Sequence, residues 1–197
     1  MPDDEEPTGC GSGRGGIAAY RRLRDVAGRL LALRELDPLL EGFDALIQEL
    51  LHVDACSIAM LDERSRTLVP LLTRAGGRTT PLEPLPLELF DGRIGEAIAG
   101  GRTIAIAGGL ILDGGEPSAL AEPESALTAM LTPLLVVAPH RGVLWVGRIH
   151  GAAFTPDDRQ LAEAIAALLA LGLRNVYDST DRTGHKDPHG AGSRGAA

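Results

Sequence analysis

The segment that most constrains the fold of this chain lies near its end. Thr155-Pro156-Asp157-Asp158 offers a hydroxyl able to cap a helix, a proline suited to the first helical position and two acids for the first turn. A nearly continuous apolar run follows, from Leu161 to Leu173. A helix of this composition has no wide polar face to offer to water, so it must be buried around most of its circumference. The rest of the chain has to supply that cover.

Ahead of this helix the hydrophobic period changes in an informative order. Ile17, Tyr20, Leu23, Ala27, Leu30 and Leu31 recur at three-to-four spacing and predict an amphipathic helix. Its other face carries Arg21, Arg22, Arg24 and Arg29, which suit either an anionic membrane surface or, as we read it, a solvated face beside a helical partner. A break is expected at Asp37-Pro38, and Leu39, Leu40, Phe43, Leu46, Ile47, Leu50 and Leu51 then form a second stripe. Ala55 to Leu61 reads as a buried strand, Asp62 to Ser65 as a polar turn and Thr67 to Thr73 as the antiparallel partner.

From Arg74 to Leu89, Gly76, Gly77, Pro81, Pro84 and Pro86 punctuate a long loop of the kind that covers a site. Ile94 to Ala99 reads as a short helix ended by Gly100-Gly101, and Arg102 to Ala107 as a short strand. Gly108 to Ser125 is a second loop-rich connection, with one helical turn around Ala119 to Glu122. Leu127 to Val137 and Val143 to Ile149, joined by a turn at Pro139 to Gly142, predict a long hairpin at the centre of a sheet.

Composition sets limits on function. With 197 residues, 44% of them hydrophobic, the chain buries one full core. Residues 1–16 and 179–197 are rich in Gly and polar residues and are expected to be disordered, leaving one domain over 17–178. His185 and His189 then belong to a solvated tail rather than a metal site. A net charge of −8 argues against a nucleic-acid partner. Cys10 and Cys56 form neither a disulfide framework nor a metal-ligand set, which fits a reducing compartment. The acidic start and the lack of 18 uninterrupted apolar residues argue against export and membrane spanning, so the expected location is cytoplasmic.

Over residues 17 to 178 the chain resembles the GAF domain family. The resemblance rests on an ordered set of local matches. Val53-Asp54-Ala55-Cys56-Ser57-Ile58 looks like the start of that family's first strand, and the stretch from Gly92-Arg93-Ile94-Gly95 to Thr103-Ile104 like its glycine-bounded short helix. Gly142-Val143-Leu144-Trp145-Val146-Gly147 looks like its penultimate core strand. Phe154-Thr155-Pro156-Asp157-Asp158 with the helix from Leu161 to Asn175 is the most recognisable part. The resemblance implies an α+β, GAF/PAS-like fold with an antiparallel sheet of about five or six strands. Terminal helices would lie on one face, a small-molecule pocket under loops and short helices on the other, and a homodimer would form through the terminal helices.

Functional variants of this family leave residue signatures. Covalent bilin attachment needs a cysteine in the pocket-covering segment, and residues 74 to 126 contain none. Free methionine sulfoxide reductases of the family use several cysteines around the pocket, whereas Cys56 stands alone outside the leader and reads as a small core residue. The Asn-Lys-Phe-Asp-Glu pattern of cyclic-nucleotide binders is not placeable, with only Phe90-Asp91 present. A haem would need a histidine, and His52, His140 and His150 all fall near element ends, where surface roles explain them. No Gly-x-Ser-x-Gly elbow or His-carboxylate set surrounds Ser57 or Ser125, so no catalytic residue is expected.

The expected pocket walls are Phe90, Ile94, Ile98 and Thr103, with Thr128, Met130 and Thr132 from one face of the central strand. Ala129 and Leu131 would then face the helices. Thr128 and Thr132 are equally explained as strand-favouring residues. The sequence therefore points to a sensor of an unidentified small-molecule effector, with no cofactor named and with output through a separate signalling partner. The alternatives are a ligand-free homodimerisation module and a thiol reductase depending on Cys56.

Overall fold

The computed structural model describes residues 12–81, 83–86, 92–107, 127–136, 141–149 and 152–184. The closing helix α4 (Pro156–Gly184) starts as expected. Thr155 Oγ1 accepts the Asp158 N–H at 3.1 Å, and Asp158 Oδ2 accepts the Thr155 N–H at 2.8 Å, a reciprocal cap that satisfies two groups the helix leaves without partners. Leu161, Ile165, Leu169 and Leu173 are buried along it. Each removes an apolar side chain from water, worth about 1.5–3 kcal/mol.

Two further helices cover α4 on the same side of the sheet. Helix α1 (Ser12–Leu31) and helix α2 (Leu36–Leu51) bring Leu23, Leu30, Leu39, Phe43 and Ile47 into one core with α4. Close approach is secured by two glycines: a Cβ at Gly42 would collide with the Leu30 side chain of α1, and one at Gly172 would meet Leu39 of α2 at 2.9 Å. The arginine face of α1 is solvated, and Arg22 reaches Glu49 of α2 at 2.8 Å. Helix α2 begins at Leu36, so Pro38 lies inside its first turn, where its missing N–H has no intrahelical acceptor to lose.

The sheet contains β1 (Ala55–Asp62), β2 (Thr67–Ala75), β3 (Arg78–Thr79), β4 (Leu85–Pro86), β5 (Ile104–Ala107), β6 (Leu127–Leu135) and β7 (Arg141–Ile149). All pairings are antiparallel, in the order β3-β2-β1-β7-β6-β5, with β4 also paired to β2. The hairpin β6–β7 lies inside the sheet, but off its centre: β1 and β7 are the middle strands, and β6 adjoins the short edge strand β5. Helix α3 (Arg93–Gly100) packs Ile94, Ala97 and Ile98 against the face opposite α1, α2 and α4. The α+β architecture expected from the sequence is thus present.

Two polar nodes tie the layers. Arg148 of β7 donates to the Leu51 carbonyl at 2.7 Å and pairs with Asp158 at 3.3 Å, and its guanidinium lies 4.2 Å from the Phe154 ring centroid. Asp54 accepts the Ile149 N–H at 2.7 Å, and its own N–H donates to Gly147, which pins the start of β1 to β7.

The structure departs from the sequence reading at several boundaries. Helices α1 and α4 run through 12–16 and 179–184, which composition had assigned to disordered ends; Ser179 continues α4 by donating to the Val176 carbonyl at 2.7 Å. The 74–89 loop contributes the two-residue strands β3 and β4. The expected turn at 119–122, together with Cys10, His140, His150, His185 and His189, lies outside the described residues. No described helix is long and apolar enough to cross a membrane.

Leu169→Ala should destabilise the fold by about 2–5 kcal/mol in urea denaturation, since it opens a cavity where all three helices meet the sheet. Burial pushes the Asp158 carboxyl up, but its hydrogen bonds from Thr155 and Arg148 outweigh this and hold it below the usual carboxylate range. Its contribution is therefore fully present above the unfolded value of about 3.9 and is lost as pH falls from there through the lower folded value. Asp158→Asn should cost about 1 kcal/mol at pH 7 and flatten the acid limb of a stability-pH profile.

Candidate ligand-binding site

The face of the sheet under α3 is built by alternation along four long strands. Register places Thr73, Ser57, Trp145, Leu131 and Ile104 in one row across β2, β1, β7, β6 and β5. Ala55, Ala59, Ala129 and Val143 flank that row with smaller side chains. Ile94 and Ile98 of α3 close over it. The row is graded from polar to apolar. At one end the Ser57 and Thr73 hydroxyls bond each other at 2.9 Å; next to Ser57 stands Trp145, the chain's single tryptophan. Its indole Nε1 is buried and has no hydrogen-bond partner among the described residues. A buried donor without an acceptor costs about 1–3 kcal/mol, so this N–H is the group on the face most in need of a ligand.

Only part of the expected pocket lies here. Ile94 and Ile98 do, and Phe90 lies outside the described residues. Thr128, Met130 and Thr132 do not: Met130 is in the core with α2 and α4, and the register puts Thr128 and Thr132 on the same side. Ala129 and Leu131, expected against the helices, face α3 instead. Thr103 shares a cavity with Thr132 and residues of α4, so it too belongs to the helix side. The inversion has a physical cause. Strand β6 is covered on both faces, so the more polar side chains do not mark the open one. Ser57, Thr73 and Trp145 were missed as site residues; their adjacency exists only through strand pairing, although the chain's lone tryptophan, within an apolar strand, was a usable signal.

Among the described residues the α3 face holds no nucleophile paired with a base, and no group of three potential metal ligands occurs. Cys56 points the opposite way. It lies in the helix-side core, and its thiol donates to Asp44 Oδ1 at 3.0 Å. Asp44 is only 1% exposed and also accepts from Gln48 at 2.9 Å and pairs with Arg74 of β2. Burial, reinforced by the bond to Asp44, pushes the Cys56 thiol far above its ordinary value, which removes the thiolate that thiol chemistry requires. His52 ends α2 in the left-handed conformation, exposed and away from the face.

Residues 35–175 match the family model described as GAF domain. This chain belongs to the GAF family. The GAF domain of a phosphoenolpyruvate-protein phosphotransferase from Coxiella burnetii has a similar structure, at 17% identity, a TM-score of 0.61 and coverage of 84% of this chain and 98% of that one. Free methionine-R-sulfoxide reductase from Neisseria meningitidis, solved with its substrate, is also similar, at 19% identity, a TM-score of 0.62 and coverage of 86% and 95%. A third is the GAF domain/HD domain protein from Geobacter sulfurreducens, at 16% identity, a TM-score of 0.53 and coverage of 75% and 97%. At these identities the likeness is one of fold. No curated protein matches the chain in sequence.

Cys56 should resist iodoacetamide at pH 8 in the folded protein and be alkylated at the rate of a free thiol once urea unfolds it, as read by mass mapping of its peptide.

Proposed function

We propose that this chain is a regulatory GAF domain that senses a small molecule on the α3 face and passes the signal to a separate protein in the cytoplasm. The observation that carries this reading is the buried, unpartnered Nε1 of Trp145 beside the Ser57–Thr73 hydroxyl pair. A ligand with an acceptor for that N–H, a second polar group near the hydroxyls and a small apolar body beneath Ile94 and Ile98 fits the gradient of the row. Few aromatic groups are available to stack a nucleobase, since Phe, Trp and Tyr make up 3% of the chain. Binding would act on α3 and, through β7, on the helix layer.

A second reading, a homodimerisation module that works without ligand, is favoured by α1, where Ile17 and Tyr20 are 57% and 40% exposed. The two readings are compatible if α1 and α4 carry the output. A reductase that depends on Cys56 is disfavoured because that thiol is locked to Asp44 on the far side of the sheet from the candidate site.

Native mass spectrometry of the purified protein, followed by thermal-shift screening of metabolites, tests the sensor reading. A bound mass or a saturable stabilisation is expected, and Trp145→Phe should weaken the ligand by up to about tenfold, the value of one hydrogen bond, while the fold is kept. A dimer with no adduct and no stabilising compound would leave the interaction module as the function.

A further inference from the structure

A cavity of about 440 Å³ lies on the other face of the sheet, between α4, the end of β6 and the link from α3 to β5, within the size range of small-molecule sites. One side of it is a face of the alanine-rich helix α4, on which Ala167 and Ala170 line the space. Val136 and Leu171 add apolar wall. Into this space come Thr103 and Thr132, 6% and 1% exposed, and neither hydroxyl has a hydrogen-bond partner among the described residues. Two buried hydroxyls without partners in one cavity are costly unless a polar group joins them. Charge at the ends gives the space a direction. Glu163 and Arg174 both line it and lie eleven residues apart on α4, about 16 Å along the axis. Among the described residues Arg174 pairs with Asp178 at 3.7 Å, with both side chains more than half exposed, a weak contact with which a ligand anion can compete.

We propose that this cavity is a second ligand site, separate from the α3 face, for a medium-chain carboxylic acid bearing a hydroxyl or oxo substituent. The carboxylate pairs with Arg174, away from Glu163; the hydrocarbon lies on Ala167, Ala170 and Val136; the substituent bonds Thr103 and Thr132. Because α4 forms one wall, occupancy bears directly on the position of that helix over β6.

The test uses the whole chain with labelled Ala and Thr methyl groups, titrated with 3-hydroxyoctanoate, octanoate and octanol. Trp145, on the opposite face, serves as an internal control through its indole N–H resonance. The expected result is saturable shifts of the Thr103, Thr132 and Ala170 methyls with an unmoved indole, and affinity falling from 3-hydroxyoctanoate to octanoate to octanol. Arg174→Gln should cut the affinity of both acids about tenfold and leave octanol unchanged. Thr132→Val should erase the preference for the hydroxy acid over octanoate, and Ala167→Leu, which fills the cavity from a solvent-exposed helix position, should abolish binding with the fold intact. Absence of saturable methyl shifts, or shifts centred on the indole, would overturn the proposal. The outcome is independent of whether the α3 face binds a ligand.

Discussion

Burial of β6 and β7 on both faces is the constraint from which the rest of the architecture follows. Leu144 and Val146 point to α2 and α4, while Val143 and Trp145 point to α3. A strand pair of this kind needs a layer on each side. Among the described residues three helices lie on one side and the short helix α3 on the other. The thick layer makes a continuous core. On the other side Trp145, Ser57 and Thr73 stand among Ala55, Ala59 and Ala129, with Ile94 and Ile98 above them. The candidate site is thus a by-product of how a doubly buried hairpin is enclosed.

The same constraint explains what was legible in the sequence. The order of elements, the hairpins and the capped closing helix were readable because each depends on local period or local capping: Thr155 and Asp158 lie three residues apart, and the apolar stripe of α2 repeats every turn. The facing of β6 was not readable. Alternation distinguishes a wet face from a dry one, and β6 has no wet face along most of its length, so Thr128 and Thr132 were placed on the wrong side. The site row was hidden for a related reason. Thr73, Ser57 and Trp145 come from three strands, and only the register brings them together.

Asp44 is an instructive miss. It occupies a position on the apolar stripe of α2, four residues after Leu40 and three before Ile47, where a carboxylate is out of place. Its partners, Cys56 and Arg74, are cross-strand neighbours on β1 and β2, so one buried acid links a helix to two strands. Buried charges persist where they are paired and hydrogen-bonded, and both conditions hold here. An acid on an apolar stripe was a signal that a cation must arrive from elsewhere in the chain.

The prolines of the two long strands β2 and β6 carry a consequence for self-association. Pro70 of β2 lies between the short segments paired with β4 and β3, and Pro133 of β6 lies beyond the last residue that β5 covers. Proline offers no ladder donor and is tolerated where a strand is open on one side. Both sit where the sheet would otherwise present backbone to another molecule, next to edge strands of only two and four residues. Such edges are poor templates for strand addition. Copies of this protein that meet at high concentration are thereby steered away from edge-to-edge polymerisation.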